Sequence, residues 1–433
     1  MLTQPEQRLE VDRGNPLSHQ GVKFFCYLMF GTIVPLLIWV AARTPSLDRE
    51  YLPNTVIATT VAALATWYML DRFRFYAKAR RLSYVAPISL LTFGAAFAII
   101  GLLRAPYSTS LFATCFFATF VTSYSLTALT RFGSKPQYIA TGGRVSELAP
   151  RGNQVFVDDP AELERRISDG ELIGSIVGDL HFDHAPEWER LFAKAALNGI
   201  AVYHYRQIHE LETGQVRIDR LSENVLGSLI PNLPYMALKR AIDIIAVIIL
   251  LPALLPLLLV TAIAIKLDSK GPALFFQDRM GFRGEVFRVV KFRTMHEREV
   301  DDDRDAMLED SKTKSDDDRI TRIGRFLRRV RIDELPQAWN IFQGDMSWIG
   351  PRPEAIHLSE WYENEIPFYS YRHIVRPGIT GWAQVNQGHV TDLDDVTAKL
   401  RYDFYYVKNI SHWLDMLIAL KTIRVVLGGL GAK

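Results

Sequence analysis

Cysteine is almost missing from this sequence: Cys26 and Cys115 are the only two in 433 residues, both inside apolar runs. Neither a disulfide framework nor a cysteine-based zinc site can be built from them. Net charge is nearly missing too, with 50 Lys and Arg against 48 Asp and Glu, a balance that argues against a nucleic-acid partner. Residues 135–230 lack the G-x-G-x-x-G spacing of a dinucleotide-binding turn. What is present is distributed unevenly: long uncharged blocks fill residues 24–130, whereas residues 266–353 are dense in Arg, Lys and Asp. That contrast excludes both a wholly soluble and a wholly embedded chain. The length of 433 residues predicts about three folding units.

Four uncharged blocks, Phe24–Ala42, Leu52–Leu70, Ser83–Leu103 and Ala105–Thr130, are each near the length that spans a hydrocarbon core. They predict a four-helix transmembrane unit over residues 1–134. The first block runs into Arg43 without a cleavage site and reads as a retained anchor. Arg72, Arg74, Lys78, Arg80 and Arg81 between the second and third blocks place that loop in the cytoplasm, because Lys and Arg resist translocation. A fifth apolar stretch, Ile244–Ile265, is also long enough to cross. However, Lys239 and Arg240 precede it and Lys266, Arg279 and Arg283 follow it, so crossing would strand one basic flank. Pro252 and Pro256 interrupt its middle, and each removes a backbone donor. The expectation is a re-entrant helix over 239–266 that breaks near Pro256 and returns, with Thr261 or water serving the freed carbonyls.

Residues 135–230 alternate short apolar runs with helix-compatible stretches. Strands are expected at Gln137–Thr141, Gln154–Val157, Ser175–Val177 and Gly199–Tyr203, with helices at Pro160–Ile167 and Glu187–Leu197. This is a small parallel α/β unit, Rossmann-like and non-catalytic, although Thr141-Gly142-Gly143-Arg144 follows its first strand. His181, His184, His204 and His209 lack a compact metal-binding spacing and read as surface histidines.

The chemistry is concentrated in residues 231–433. A strand-like run, Phe287–Val290, leads into Lys291-Phe292-Arg293-Thr294-Met295. Arg322, Arg325 and Arg329 then share one helical face. Asp333-Glu334-Leu335-Pro336 follows, with Pro336 suited to the first turn of a helix through Gln337–Phe342. Such a start attracts phosphate, and simple N-capping by Asp333 is the bland alternative. Adjacent carboxylates beside arginines suit phosphoryl chemistry with a divalent metal: oxygen ligands, a carboxylate able to attack phosphorus and guanidinium groups to neutralise phosphate. Gly350-Pro351-Arg352-Pro353 presents another Arg on a rigid loop.

From about Lys239 to Gly429 these motifs resemble the bacterial sugar transferase family, the polyprenyl-phosphate hexose-1-phosphate transferases of the monotopic phosphoglycosyl transferase superfamily. The resemblance rests on Lys239-Arg240 with Asp243, the Pro256 break, Gln277-Asp278-Arg279 with Gly281, Lys291–Met295, Asp333–Asn340, Gly344–Ser347, Gly350–Pro353, Arg376–Asn386 and Tyr405–Asn409. The four-helix and α/β segments resemble the family's larger members. The resemblance implies a catalytic α/β domain with interfacial amphipathic helices at the inner-membrane surface, facing the cytoplasm. It implies transfer of a sugar 1-phosphate from a nucleotide diphosphate sugar, expected to be a UDP-sugar, to polyprenyl phosphate. Asp333 would be the nucleophile and Glu334 its partner, both near Mg²⁺. Lys291, Arg293, Arg328, Pro351, Arg352, Gln387 and His389 are expected around the substrates, and membrane lipid and a second copy of the chain are compatible partners.

One departure falls at Gln387-Gly388-His389, where many relatives continue with Gly-Arg-Asn, so the sugar contacts are expected to differ. The acidic run His296–Asp318 reads as a mobile loop. Trp413, Leu414, Leu417, Leu420 and Arg424 mark an amphipathic C-terminal helix suited either to the membrane surface or to packing on the domain. Tyr405, Tyr406 and Trp361 have the same two readings. A catalytically inactive membrane scaffold has no need of Asp333, Glu334, Arg328 and Arg352 together. A nucleotide-sugar epimerase fails on the glycine fingerprint.

Overall fold

The computed structural model describes residues 19–42, 51–73, 76, 81–131, 136–148, 153–169, 174–217, 231–296, 319–387 and 393–427. The chain divides into two compact units, Met1–Gly214 and Gln215–Lys433. The expected boundary near 230 and the acidic run 297–318 lie outside the described residues, as does most of the basic loop after the second block.

The first unit opens with helices α1 (Gln20–Ala41), α2 (Tyr51–Phe73), α3 (Arg81–Leu102) and α4 (Thr109–Arg131). By length and composition α1, Leu82–Leu102 and Thr109–Thr130 could each cross a membrane. Helix α2, which carries Asn54 near its start, Asp71 and Arg72 at its end and four threonines between, falls outside that set. Thr55, Thr59 and Thr66 are buried, and each hydroxyl donates to a carbonyl one turn back. Thr66 also meets Thr92 of α3 at 2.7 Å. Outward-facing Phe25, Leu37, Ile57, Leu90 and Phe117 remain exposed, as lipid-facing side chains would.

The α/β segment contains β1 (Gln137–Ala140), β2 (Gln154–Val157), α5 (Pro160–Ser168), β3 (Ser175–Gly178), α6 (Pro186–Leu197), β4 (Val202–His204) and α7 (Tyr205–Thr213). The strands form one parallel sheet in the order β2-β1-β3-β4. Five of the six expected elements begin within a residue of their expected starts; β4 starts later than expected, and α7 was not anticipated. The histidines are not a set of surface residues. His184 is buried and meets the Asp179 carbonyl at 2.9 Å, while His204 lies 3.4 Å from the Asp179 carboxylate. The turn after β1 carries an internal anion: the Arg144 and His181 amides donate to the two oxygens of Asp179. A Cβ on Gly143, whose φ is +62°, would lie 2.5 Å from that carboxylate. Asp179 therefore occupies the Arg144 amide of this turn from within the segment.

The second unit begins with α8 (Leu233–Asp268), 36 residues capped by Asn232. The helix runs without interruption through Pro252 and Pro256, in contrast to the expected break. Thr261 donates to Leu257, its own carbonyl one turn back, and not to a proline-freed carbonyl. Both ends of α8 pack on the same unit. Val247 joins Val289, Ile341 and Met346, and Ile265 joins Phe292 and Leu327. Between them Ile248, Ile249, Leu255, Leu259 and Val260 are exposed. Strands β5 (Leu274–Met280) and β6 (Val286–Phe292) form an antiparallel hairpin, followed by α9 (Arg322–Arg329), a 3-10 turn (Ile332–Gln337) and α10 (Ala338–Gln343).

Strand β7 (Ser347–Ile349) pairs in parallel with β8 (Gly378–Thr380), with α11 (Ile356–Glu365) between them. Helices α12 (Trp382–Asn386), α13 (Leu393–Lys408) and α14 (His412–Leu427) complete the unit. Leu414, Leu417 and Ile418 of α14 are fully buried, so this face packs on protein and is unavailable to a membrane. Tyr405 and Tyr406 are core residues for the same reason.

Candidate active site

Two backbone features present the paired carboxylates. Arg331 adopts a left-handed conformation (φ 57°) that ends α9 and redirects the chain. The following 3-10 turn places successive side chains about a third of a turn apart, so Asp333 and Glu334 diverge. Instead of the α-helical start expected at Pro336, both carboxylates lie on this tighter turn, and α10 begins only at Ala338.

Glu334 is buried and paired: Arg352 Nη2 donates to it at 2.8 Å, and Arg331 Nη1 lies 3.4 Å from its other oxygen. Burial pushes its pKa up, but Arg352, Lys291 and Arg331 outweigh that and lower it to about 2. Asp333 has no hydrogen bond or short ion pair among the described residues. Burial, and then the charge of Glu334, raise its pKa to about 6 against the pull of Lys291, Arg352 and Arg328. Lys291, at the end of β6, is lowered to about 7 by burial and by Arg279 and Arg352. Arg279 is itself lowered to about 10, chiefly by burial and then by Arg352. The adjacent carboxylates thus differ in character, one locked as an anion and the other poised near neutrality.

The other expected residues divide. Arg328 Nε donates to Thr294 Oγ1 at 2.8 Å, and its charge reaches Asp333. Pro351 is buried, and its carbonyl accepts from the Gly378 amide at 2.9 Å. Arg293 turns away from the carboxylates: its guanidinium donates to the Ser269 and Lys270 carbonyls and the Ser269 hydroxyl, just beyond α8. Gln387 Nε2 donates to the Asp395 carbonyl and ties the approach to α13. His389 lies outside the described residues. Lys239 pairs with Asp415 at 2.6 Å, Arg240 caps the Ile341 and Phe342 carbonyls, and Asp243 accepts from the Trp348 amide. These three anchor α8 to its own unit.

Sequence reasoning did not select Arg279, Glu354, Arg372, Lys399 or Asp403. Only Arg279 carried a signal, its place in the Gln277-Asp278-Arg279 motif. Among the described residues no three His, Cys, Asp or Glu side chains gather as a complete metal site. Asp333 still offers carboxylate oxygens uncommitted to a neighbour. A hard cation held by one or two carboxylates and by substrate phosphates therefore fits this donor set.

Residues 234–429 match the bacterial sugar transferase family. A relative from Aeromonas hydrophila, a UDP-N-acetylgalactosamine-undecaprenyl-phosphate N-acetylgalactosaminephosphotransferase, is 41% identical over 410 residues, covering 91% of this chain and 94% of the relative. The chain belongs to the bacterial sugar transferase family. A second member, the Caulobacter vibrioides UDP-glucose:undecaprenyl-phosphate glucose-1-phosphate transferase, is 41% identical over 199 residues, or 46% of this chain and 72% of its own. The Escherichia coli K12 protein of the same description is 40% identical over 188 residues, or 43% of this chain and 39% of its own. Sugar transferases of different named substrates thus share the catalytic region, and the first relative shares the N-terminal unit as well.

Proposed function

We propose that this sugar transferase moves a sugar 1-phosphate from a UDP-sugar to undecaprenyl phosphate, releasing UMP and committing the sugar to polysaccharide assembly at the membrane. The observation that carries the reading is the unequal pair on one turn, Glu334 held by Arg352 and Asp333 uncommitted. Asp333 attacks the sugar-proximal phosphorus, and the bond from that phosphorus to the bridging oxygen breaks as UMP leaves. A phosphate oxygen of the lipid then attacks the same phosphorus and frees the carboxylate. Dividing one transfer into two displacements suits two bulky diphosphate-like species. Arg352, Arg328 and Lys291 supply positive charge for the phosphates, while Glu334 fixes Arg352.

Mg²⁺ at Asp333 and the donor phosphates would neutralise charge on the diphosphate. UDP-N-acetylgalactosamine is the first donor to test, since the relative matching nearly the whole chain carries that name.

The membrane arrangement belongs to the same proposal. Helix α8 dips into the cytoplasmic leaflet of the inner membrane and returns. Supporting this are its basic flanks and the packing of Val247 and Ile265 on the same unit. Residues 1–134 form the membrane unit, 135–230 a non-catalytic Rossmann-like domain and 231–433 the catalytic domain.

The test is UMP release from a panel of UDP-sugars by the full chain with Mg²⁺ and undecaprenyl phosphate. UMP and a polyprenyl diphosphate sugar are expected with at least one donor. No product with any donor would refute the assignment. For the membrane helix, cysteines placed at Lys239 and Lys270 should both be shielded from an impermeant reagent outside cells. Labelling at 270 alone would refute re-entry.

A further inference from the structure

Every carbonyl from Pro351 to Glu354 is held by a separate donor. Pro351 accepts from the Gly378 amide at 2.9 Å, Arg352 from Arg372 Nη2 at 2.8 Å, Pro353 from Arg279 Nη1 at 2.5 Å and Glu354 from the Met280 amide at 3.1 Å. Two of these donors are side-chain cations, the half-buried Arg279 and the deeply buried Arg372. Arg372 is 3% exposed and Asp403 is 1% exposed, with 2.9 Å between them. Tyr369 Oη accepts a second bond from Arg372 at 2.7 Å. Arg279 leans on Gln277 Oε1 at 2.7 Å. Loops commonly satisfy their carbonyls with water or backbone. Burying an Arg–Asp pair is costly, and in some proteins such a pair selects one conformation among several.

What this cradle presents is the Arg352 side chain, aimed at Glu334. We propose that Arg372, backed by Asp403, is a positioning residue: it fixes the Arg352 backbone so that the Arg352 guanidinium meets Glu334 and leaves Asp333 uncommitted. Arg372 itself is enclosed by Tyr369, Asp403 and Glu354. Its influence on turnover passes through Arg352. This inference rests on the transferase reading for its activity assay.

The test is a double-mutant cycle in the full chain, with UMP release measured using the UDP-sugar that supports wild-type turnover. Thermal unfolding and gel filtration check each variant. Arg372→Gln should lower kcat by about ten- to a hundred-fold, the scale of one charge-assisted hydrogen bond, with a smaller effect on the donor KM. In an Arg352→Ala background the same change should lower kcat by less than about two-fold, since residues acting as a unit are not additive. Factors that multiply, or full activity in Arg372→Gln, would overturn the proposal.

Asp403→Asn, nearly isosteric, carries the same comparison if Arg372→Gln does not fold. A wild type inactive with every donor marks failure of the transferase reading instead. In that case hydrogen exchange over residues 350–355 tests the cradle directly. Exchange there should quicken by about ten-fold in Asp403→Asn, and an unchanged rate overturns the proposal.

Discussion

Arg352 Nη2 donates to Glu334 Oε1 at 2.8 Å, while Asp333, one residue earlier, has no such partner among the described residues. Two carboxylates that share a turn are thereby given different work. Glu334 is ionised at any working pH and serves as the counterion that holds Arg352. Asp333 is half-buried and makes no hydrogen bond or short ion pair among the described residues.

Replacing the free carboxylate should stop the chemistry. Asp333→Asn keeps the shape but loses the attacking oxygen, so turnover should fall by several orders of magnitude, about 4 kcal/mol or more of barrier. Enzyme, Mg²⁺ and labelled UDP-sugar without lipid should release about one equivalent of UMP per active site and leave a sugar-phosphate adduct on Asp333. Normal turnover by Asp333→Asn would rule out the covalent route.

The same substitution should stabilise the fold at neutral pH. A carboxyl raised to about 6 in the folded state costs stability above that value, and the cost disappears below its unfolded value near 4. Asp333→Asn should therefore unfold later than wild type at pH 7.5, by about 1–2 kcal/mol, with the gap closing as pH falls from 6 to 4. An equal gap at both pH values would contradict the raised pKa. In wild type kcat/KM should fall as pH drops through about 6, because the nucleophile is then protonated.

Glu334→Gln and Arg352→Ala should differ. Glu334→Gln keeps a hydrogen-bond acceptor for Arg352 but loses the charge, and a fall in kcat of about ten- to a hundred-fold is expected with the covalent step retained. Arg352→Ala leaves Glu334 buried with Lys291 and Arg331 as its remaining cations and also removes a phosphate partner, so donor KM and kcat should both suffer. Equal kinetics in the two variants would argue that Arg352 serves only Glu334.

Asp415 is expected to be a structural keystone. Its carboxylate accepts from Tyr235 and Lys239, each at 2.6 Å, and from Tyr406 at 2.8 Å, so it ties the start of α8 to α13 and α14. Asp415→Ala leaves a buried lysine without its counterion and should cost about 3–5 kcal/mol. Thermal unfolding in detergent reads this. A loss under about 1 kcal/mol would mean that Lys239 escapes to solvent.

The α/β segment should bind no nicotinamide cofactor required for turnover. Asp179 already takes the Arg144 amide in the turn after β1, and that turn lacks the glycine spacing of a dinucleotide site. Added NAD should change neither unfolding temperature nor UMP release, and strict dependence on it would overturn this prediction.

Local periodicity and spacing determined a great deal here. The apolar blocks are helical, the alternation in 135–230 is a parallel sheet, and Asp333-Glu334 and Gly350–Pro353 were recognisable because their chemistry lies in adjacent residues. Tertiary structure decided which neighbours act alike. Lys291 faces the carboxylates, whereas Arg293, two residues on and past the end of β6, caps the turn after α8. His204 lies 3.4 Å from the Asp179 carboxylate because the sheet sets the carboxyl ends of β3 and β4 side by side. Arg372 meets Asp403 and Tyr235 meets Asp415 across 31 and 180 positions of chain, respectively. A buried charge needs a partner in space, and the chain order of the two residues contains no record of how the helices between them pack.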